Sequence, residues 1–122
     1  NYEERKIFEY GAAFFEQYAY NRFVSVSKAS SNEHTPPNFA GLREERGEQT
    51  PLYWVLPSVF DAEICKDFDR AKVVQVYEVA GWLLTPPTGR HKTKLKTFNG
   101  EKKRYYVFFG SAPPTEQDEE AE

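Results

Sequence analysis

Seven cationic side chains crowd into residues 90–104, RHKTKLKTFNGEKKR: Arg90, Lys92, Lys94, Lys96, Lys102, Lys103 and Arg104, against one acid, Glu101. The local charge is +6 in a chain whose formal net charge is −3, so the remaining residues carry −9. The chemistry open to such a cluster is phosphate binding: lysine and arginine neutralise a polyanion and release its counterions. Lys92, Lys94 and Lys96 fall at every second position, which in a strand puts all three on one face. Asn99-Gly100 is the strongest short hairpin signal, since both residues tolerate the positive φ of a type I′ turn. A second strand then returns as RYYVFF, aromatic and β-branched. The expectation is a basic two-stranded ribbon in an otherwise acidic protein. Lysines also keep an exposed sheet edge from pairing with itself, but seven exceed what that task requires.

The elements that must carry the ribbon can be read backwards from it. Pro86-Pro87-Thr88-Gly89 is a turn, and Trp82-Leu83-Leu84 starts a strand. RAKVVQVYEVA before it predicts a helix, with Asp69 as N-cap and Gly81 as the C′ glycine. Projected at 100° per residue, Val73, Val74, Val76, Tyr77 and Ala80 form the inward arc and Lys72, Gln75 and Glu78 the outward one, with Arg70 at its N-terminal edge. The β-branched content is high, so burial must hold this helix together. SVFDAEICKDF predicts a shorter helix capped by Ser58, with Phe60, Ile64 and Cys65 inward. A further hairpin precedes it: AGLREERG and QTPLYWVLP around Gly47-Glu48, with Leu52, Trp54 and Leu56 on one face and Tyr53 and Val55 on the other. Helix, tight turn, helix, short strand and basic hairpin, in that order, make an α+β, winged-helix-like arrangement.

An additional N-terminal helix is predicted over Tyr2 to Tyr18, with an apolar stripe of Ile7, Phe8, Gly11, Phe14, Phe15 and Tyr18. Glu3 and Glu4 suit its positive end. Gly11 costs roughly 1 kcal/mol there relative to Ala, so a close neighbouring backbone is expected. RFVSV reads as a short strand, with Arg22 fastening the helix by capping carbonyls. Residues 27–38 form a polar, Pro-containing loop. SAPPTEQDEEAE (111–122) reads as a disordered acidic tail that could fold over the wing. Residues 1–110 are therefore taken as one domain, which suits 122 residues.

Residues 53–84, YWVLPSVFDAEICKDFDRAKVVQVYEVAGWLL, resemble the C-terminal domain of the helicase- and primase-like ATPases of phages and other bacterial mobile elements, formerly a domain of unknown function. The resemblance rests on Leu56-Pro57, Phe60, Glu63-Ile64-Cys65, Phe68-Asp69, Val73, Gly81-Trp82-Leu83-Leu84 and Arg104-Tyr105-Tyr106-Val107. AAFFEQYAYNRF (12–23) is similar to a second segment of that family through Phe15, Glu16, Arg22 and Phe23. Ala19 and Asp67 depart from it, standing where the family usually has glycine. The motifs are mainly fold-determining, and no GxxxxGK[ST] phosphate loop is present, so ATP chemistry does not carry over. The resemblance implies an accessory domain attached to parent ATPase domains. The absence of any Met, and a start at Asn1, suggest a fragment of a longer protein.

These readings converge on a non-catalytic DNA-binding accessory domain. The expected contacts are Arg70, Lys72 and Gln75 on the second helix and Arg90, Lys92, Lys94, Lys96, Lys102, Lys103 and Arg104 on the hairpin, with duplex or forked DNA as partner. The alternative is a protein-interaction domain docking on the parent ATPase or another partner. Tyr105 and Tyr106 alternate, so one ring is expected to face out and stack on an unpaired base. Trp54 and Trp82 are expected in the core. No catalytic constellation is recognisable, and no cofactor, metal or small-molecule ligand is expected; His34 and His91 stand far apart with no cluster around either. No apolar run approaches the roughly 20 residues of a membrane span, so no membrane partner is expected. NYEERK is not a signal-peptide start. The lone Cys65 fits a reducing cytoplasm.

Overall fold

A computed structural model describes residues 1–28 and 35–113 of the chain. Residues 29–34 of the 27–38 loop and 114–122 of the 111–122 tail therefore lie outside the described residues. The element order is α1 (Tyr2–Tyr18), β1 (Phe23–Ser25), a 3-10 turn (Val26–Lys28), β2 (Gly41–Arg46), β3 (Gln49–Val55), α2 (Pro57–Val59), a π-helical turn (Phe60–Cys65), α3 (Arg70–Val79), β4 (Leu83–Leu84), β5 (Lys94–Phe98) and β6 (Glu101–Phe109). The fold is α+β with an N-terminal helix, and the main element is a sheet of six strands among the described residues. Its order is β1-β2-β3-β6-β4, with β5 paired to the other half of β6. Only β1 and β2 are parallel; the other pairs are antiparallel.

The helices form one layer on one face of this sheet. α1 begins where Asn1 accepts from the Glu4 amide at 2.9 Å, satisfying one orphan donor of the first turn. It buries Ile7, Gly11 and Phe14 along the expected stripe. The close neighbours of Gly11 are side chains rather than a backbone: an added Cβ would lie 2.4 Å from the Tyr77 Oη and 2.9 Å from the Trp82 ring. The shorter helix starts two residues earlier than its sequence suggests. Leu56 is the extended N-cap and Pro57 occupies the first turn, where its missing N–H costs nothing, so Ser58 does not cap. It then widens into the π turn and stops at Lys66, which adopts φ +50. The turn into α3 thus bends at Lys66, one residue before Asp67. Asp69 caps α3 by accepting from the Lys72 amide at 3.1 Å, and Gly81 ends it at φ +77.

Between helices and sheet lies the principal core, built mostly of rings. Phe60 stacks on Tyr106 at 4.1 Å, and Trp82 meets Tyr77 and Phe108 edge to face at 4.8 and 5.2 Å. The opposite face of the sheet is also covered. Val24, Leu42, Leu52, Trp54, Tyr105 and Val107 form a second buried cluster, flanked by Val26, Phe39, Leu84 and Phe98. Burial on both faces explains a departure from the alternating pattern. Tyr105 and Tyr106 point to opposite sides, yet both are buried, one in each cluster, so neither presents a ring for base stacking.

Candidate nucleic-acid interface

The ribbon is formed by β5 and the first half of β6. Its register pairs Lys94 with Tyr105, Leu95 with Arg104, Lys96 with Lys103, Thr97 with Lys102 and Phe98 with Glu101. The turn between them has Asn99 at φ +51 and Gly100 at φ +79, as a type I′ turn requires. β3 pairs with β6 only from Tyr106 to Phe109, and β4 only with Val107 and Phe108. From Tyr105 to the turn, the two strands therefore have only each other as partners among the described residues.

Alternation then sorts the cations between two faces. Lys94, Lys96 and Phe98 share a face with Glu101, Lys103 and Tyr105. This is the face that bends over the second cluster, where Phe98 and Tyr105 belong. The Lys96 ammonium lies 4.5 Å from the centre of the Trp54 ring and 3.6 Å from the Glu44 carboxylate, which also accepts from the Trp54 indole at 2.9 Å. The other face carries Leu95, Thr97, Lys102 and Arg104, and Leu95 is 47 % exposed. Spacing puts alternate lysines on one face without deciding whether that face is covered. Lys94 and Lys96 lie on the inward one, where the Trp54 ring and the Glu44 carboxylate accommodate the Lys96 ammonium. Lys92 precedes β5 and is not part of the row. It turns back to Glu78 at 2.9 Å, and this bond, with one from Thr85, holds the Glu78 carboxyl below its ordinary value.

The remaining candidates divide in the same way. Lys103 pairs with Glu101 at 3.0 Å. Arg104 donates to the carbonyl and hydroxyl of Thr93, both at 3.4 Å. On α3, Arg70 faces Asp61 at 3.2 Å and Lys72 approaches Glu4 at 4.0 Å. Gln75 is exposed and lines a groove of about 220 Å³ between α1 and α3, with Phe8, Val76, Val79 and Ala80. Among the described residues, Arg90, Lys94, Lys102 and Arg104 have no carboxylate within ion-pair distance. The seven cations of 90–104 face three acids, Glu101, Glu78 and Glu44, leaving the neighbourhood at +4.

Two side chains that the sequence reading passed over shape this surface. Glu44 neutralises Lys96 from β2, and no local signal links positions so far apart. Leu95 was legible in principle: KLKTF alternates, and the apolar member of the pair need not be the buried one. Arg22 does more than cap carbonyls. It donates to the Asn38 carbonyl at 2.6 Å, forms a two-pronged pair with Glu63 at 2.7 Å for each bond, and lies 4.5 Å over Tyr18. It thereby ties the end of α1 to the π turn.

Cys65 is buried, and burial pushes its thiol up to about 12, so it stays protonated at neutral pH. Among the described residues, no group of three or more His, Cys, Asp and Glu could hold a metal ion. No described helix is long and apolar enough to cross a membrane. Comparisons of the chain with protein-family models, with curated proteins and with solved structures found no match.

Proposed function

We propose that this chain is a non-catalytic DNA-binding accessory domain, gripping the phosphate backbone chiefly through its β5–β6 ribbon. In this reading α2, the π turn and α3 serve as a winged-helix-like pair with the ribbon as wing. The domain belongs to a larger helicase- or primase-like protein of the kind its sequence resembles, working in the cytoplasm. The observation that carries the reading is charge: a two-strand ribbon retaining +4 after its ion pairs, in a chain of net −3. Arg90, Lys94, Lys102 and Arg104, which have no ion-pair partner among the described residues, supply that charge. Arg70 and Lys72 contribute less, since each already faces a carboxylate.

Four phosphate contacts give a log–log salt slope of about −3.6, hence a loss of roughly two decades in affinity between 50 and 200 mM salt. The test is titration of labelled single-stranded, duplex and forked DNA with the wild type and with Arg90→Glu/Lys94→Glu/Lys102→Glu/Arg104→Glu. Loss of binding in the variant with that slope in the wild type supports the reading. Absence of binding at 50 mM salt, or indifference to the four reversals, overturns it.

One feature favours the docking alternative. Val79 is 82 % exposed at the rim of the α1–α3 groove, an apolar side chain that phosphate binding does not use. If DNA binding is absent, this groove is the first surface to examine for a protein partner.

A further inference from the structure

Resting on the DNA-binding reading, we propose that the ribbon enters the major groove of duplex DNA with its Leu95–Thr97–Lys102–Arg104 face toward the base edges, Leu95 making an apolar contact with thymine methyl groups. A single exposed leucine would carry no such inference, since exposed leucines are ordinary. Its position carries it. Leu95 is cross-strand to Arg104, and Thr97 to Lys102, so a half-exposed aliphatic group and a hydroxyl are flanked by two cations on one flat face. The opposite face of the ribbon is turned onto the second cluster, which leaves this one to meet a partner.

The dimensions agree. Neighbouring strands are about 4.8 Å apart, and a two-stranded ribbon fits the roughly 12 Å width of the B-DNA major groove. Five paired positions extend about 17 Å, enough to follow several base steps. A ribbon in that groove has a phosphate strand along each side. Lys94 belongs to the opposite face of the ribbon and Arg90 lies before the start of β5, so neither stands on the face turned to the floor. Toward the floor, Leu95 suits the C5 methyl of thymine, while Lys102 and Arg104 beside it keep their phosphate contacts. α3 is the poorer entrant. Asp61, Glu4 and Glu78 stand beside its outward cations and side chains, and Val79 lies exposed on it.

Replacing thymine by uracil removes the methyl group while keeping the base pair, and so isolates the contact. At 50 mM salt the wild type should bind an alternating dA–dT duplex about fourfold more tightly than the matching dA–dU duplex, the worth of one buried methyl-sized contact. Leu95→Ala should bind both alike, with an unchanged salt slope, while Lys102→Ala should weaken both equally. Leu95→Ser, which has no side-chain methyl group, repeats the test should the alanine variant fold poorly. Equal wild-type binding to both duplexes, a methyl preference that survives both Leu95 variants, or tighter binding to single-stranded dT than to the duplex each overturns the groove assignment while leaving DNA binding intact. No binding to any of these DNAs overturns the reading beneath it as well.

Discussion

The ammonium of Lys96 rests 4.5 Å above the Trp54 ring, held there with the Glu44 carboxylate 3.6 Å away. A lysine that by composition belongs to the basic row is by contact part of the roof of a buried cluster. Lys102, one pair nearer the turn and on the other face, has no such partner among the described residues. The two should therefore behave oppositely. Lys96→Ala is expected to lower stability by about 1 kcal/mol, through loss of the ring contact and a weak ion pair, and to leave DNA affinity within twofold. Lys102→Ala is expected to leave the urea midpoint unchanged and to weaken DNA binding. Equilibrium unfolding and a DNA titration on both variants check this.

Gly11 lets α1 pack closely against Tyr77 and Trp82. Tyr77 donates from its hydroxyl to the Ile7 carbonyl at 2.6 Å, and the same Oη would lie 2.4 Å from a Cβ at position 11. Alanine there would gain roughly 1 kcal/mol of helix propensity and lose more to overpacking against Tyr77 and Trp82. Gly11→Ala should thus destabilise by about 1–2 kcal/mol net, against the usual trend for glycine in a helix. Thermal melting of that single variant, and of the double variant with Tyr77→Phe to relieve the oxygen clash, measures it; the double variant should recover part of the loss.

Arg22 and Glu63 make an acid-sensitive clasp. The Arg22 guanidinium, by hydrogen bonding first and charge second, holds the Glu63 carboxyl below its ordinary value of 4.5. A depressed carboxylate stabilises the fold fully above that value. The contribution is lost as pH falls through the lower folded value. Glu63→Gln should therefore cost roughly 1 kcal/mol at pH 7, a figure discounted because the carboxylate is a third exposed. It should also show a flatter fall in stability below pH 4.5 than the wild type. Urea unfolding of both proteins from pH 7 to pH 3 reads the difference in slope.

Much of the local structure was legible. Asn99-Gly100, Gly47 and Gly81 each mark a reversal or a helix end, and all four residues adopt positive φ. Asp69 caps α3, and the α1 stripe is buried where its period puts it. Leu52 and Trp54 separate from Tyr53 and Val55 onto opposite sides of the sheet. Turn chemistry, capping and periodicity are interactions among residues a few positions apart, so sequence contains them. α2 starts two residues before the place a Ser58 cap implies, because a proline in the first turn needs no side-chain cap. The exposed tyrosine was misjudged because strict alternation implies one wet face, and this sheet has none at Tyr105 and Tyr106.

What residues 90–104 determined alone was a hairpin, its turn and its excess of positive charge. Which side of that hairpin meets solvent was decided elsewhere, by Trp54 and Glu44 on strands some 40 and 50 positions upstream. A period of two is symmetric: it says that Lys94 and Lys96 share a face and Leu95 and Thr97 the other, and nothing about which face is covered. Only the folding of a second apolar cluster beneath the ribbon breaks that symmetry, and the Lys96 face can be the covered one because its charge meets the Trp54 ring and the Glu44 carboxylate there.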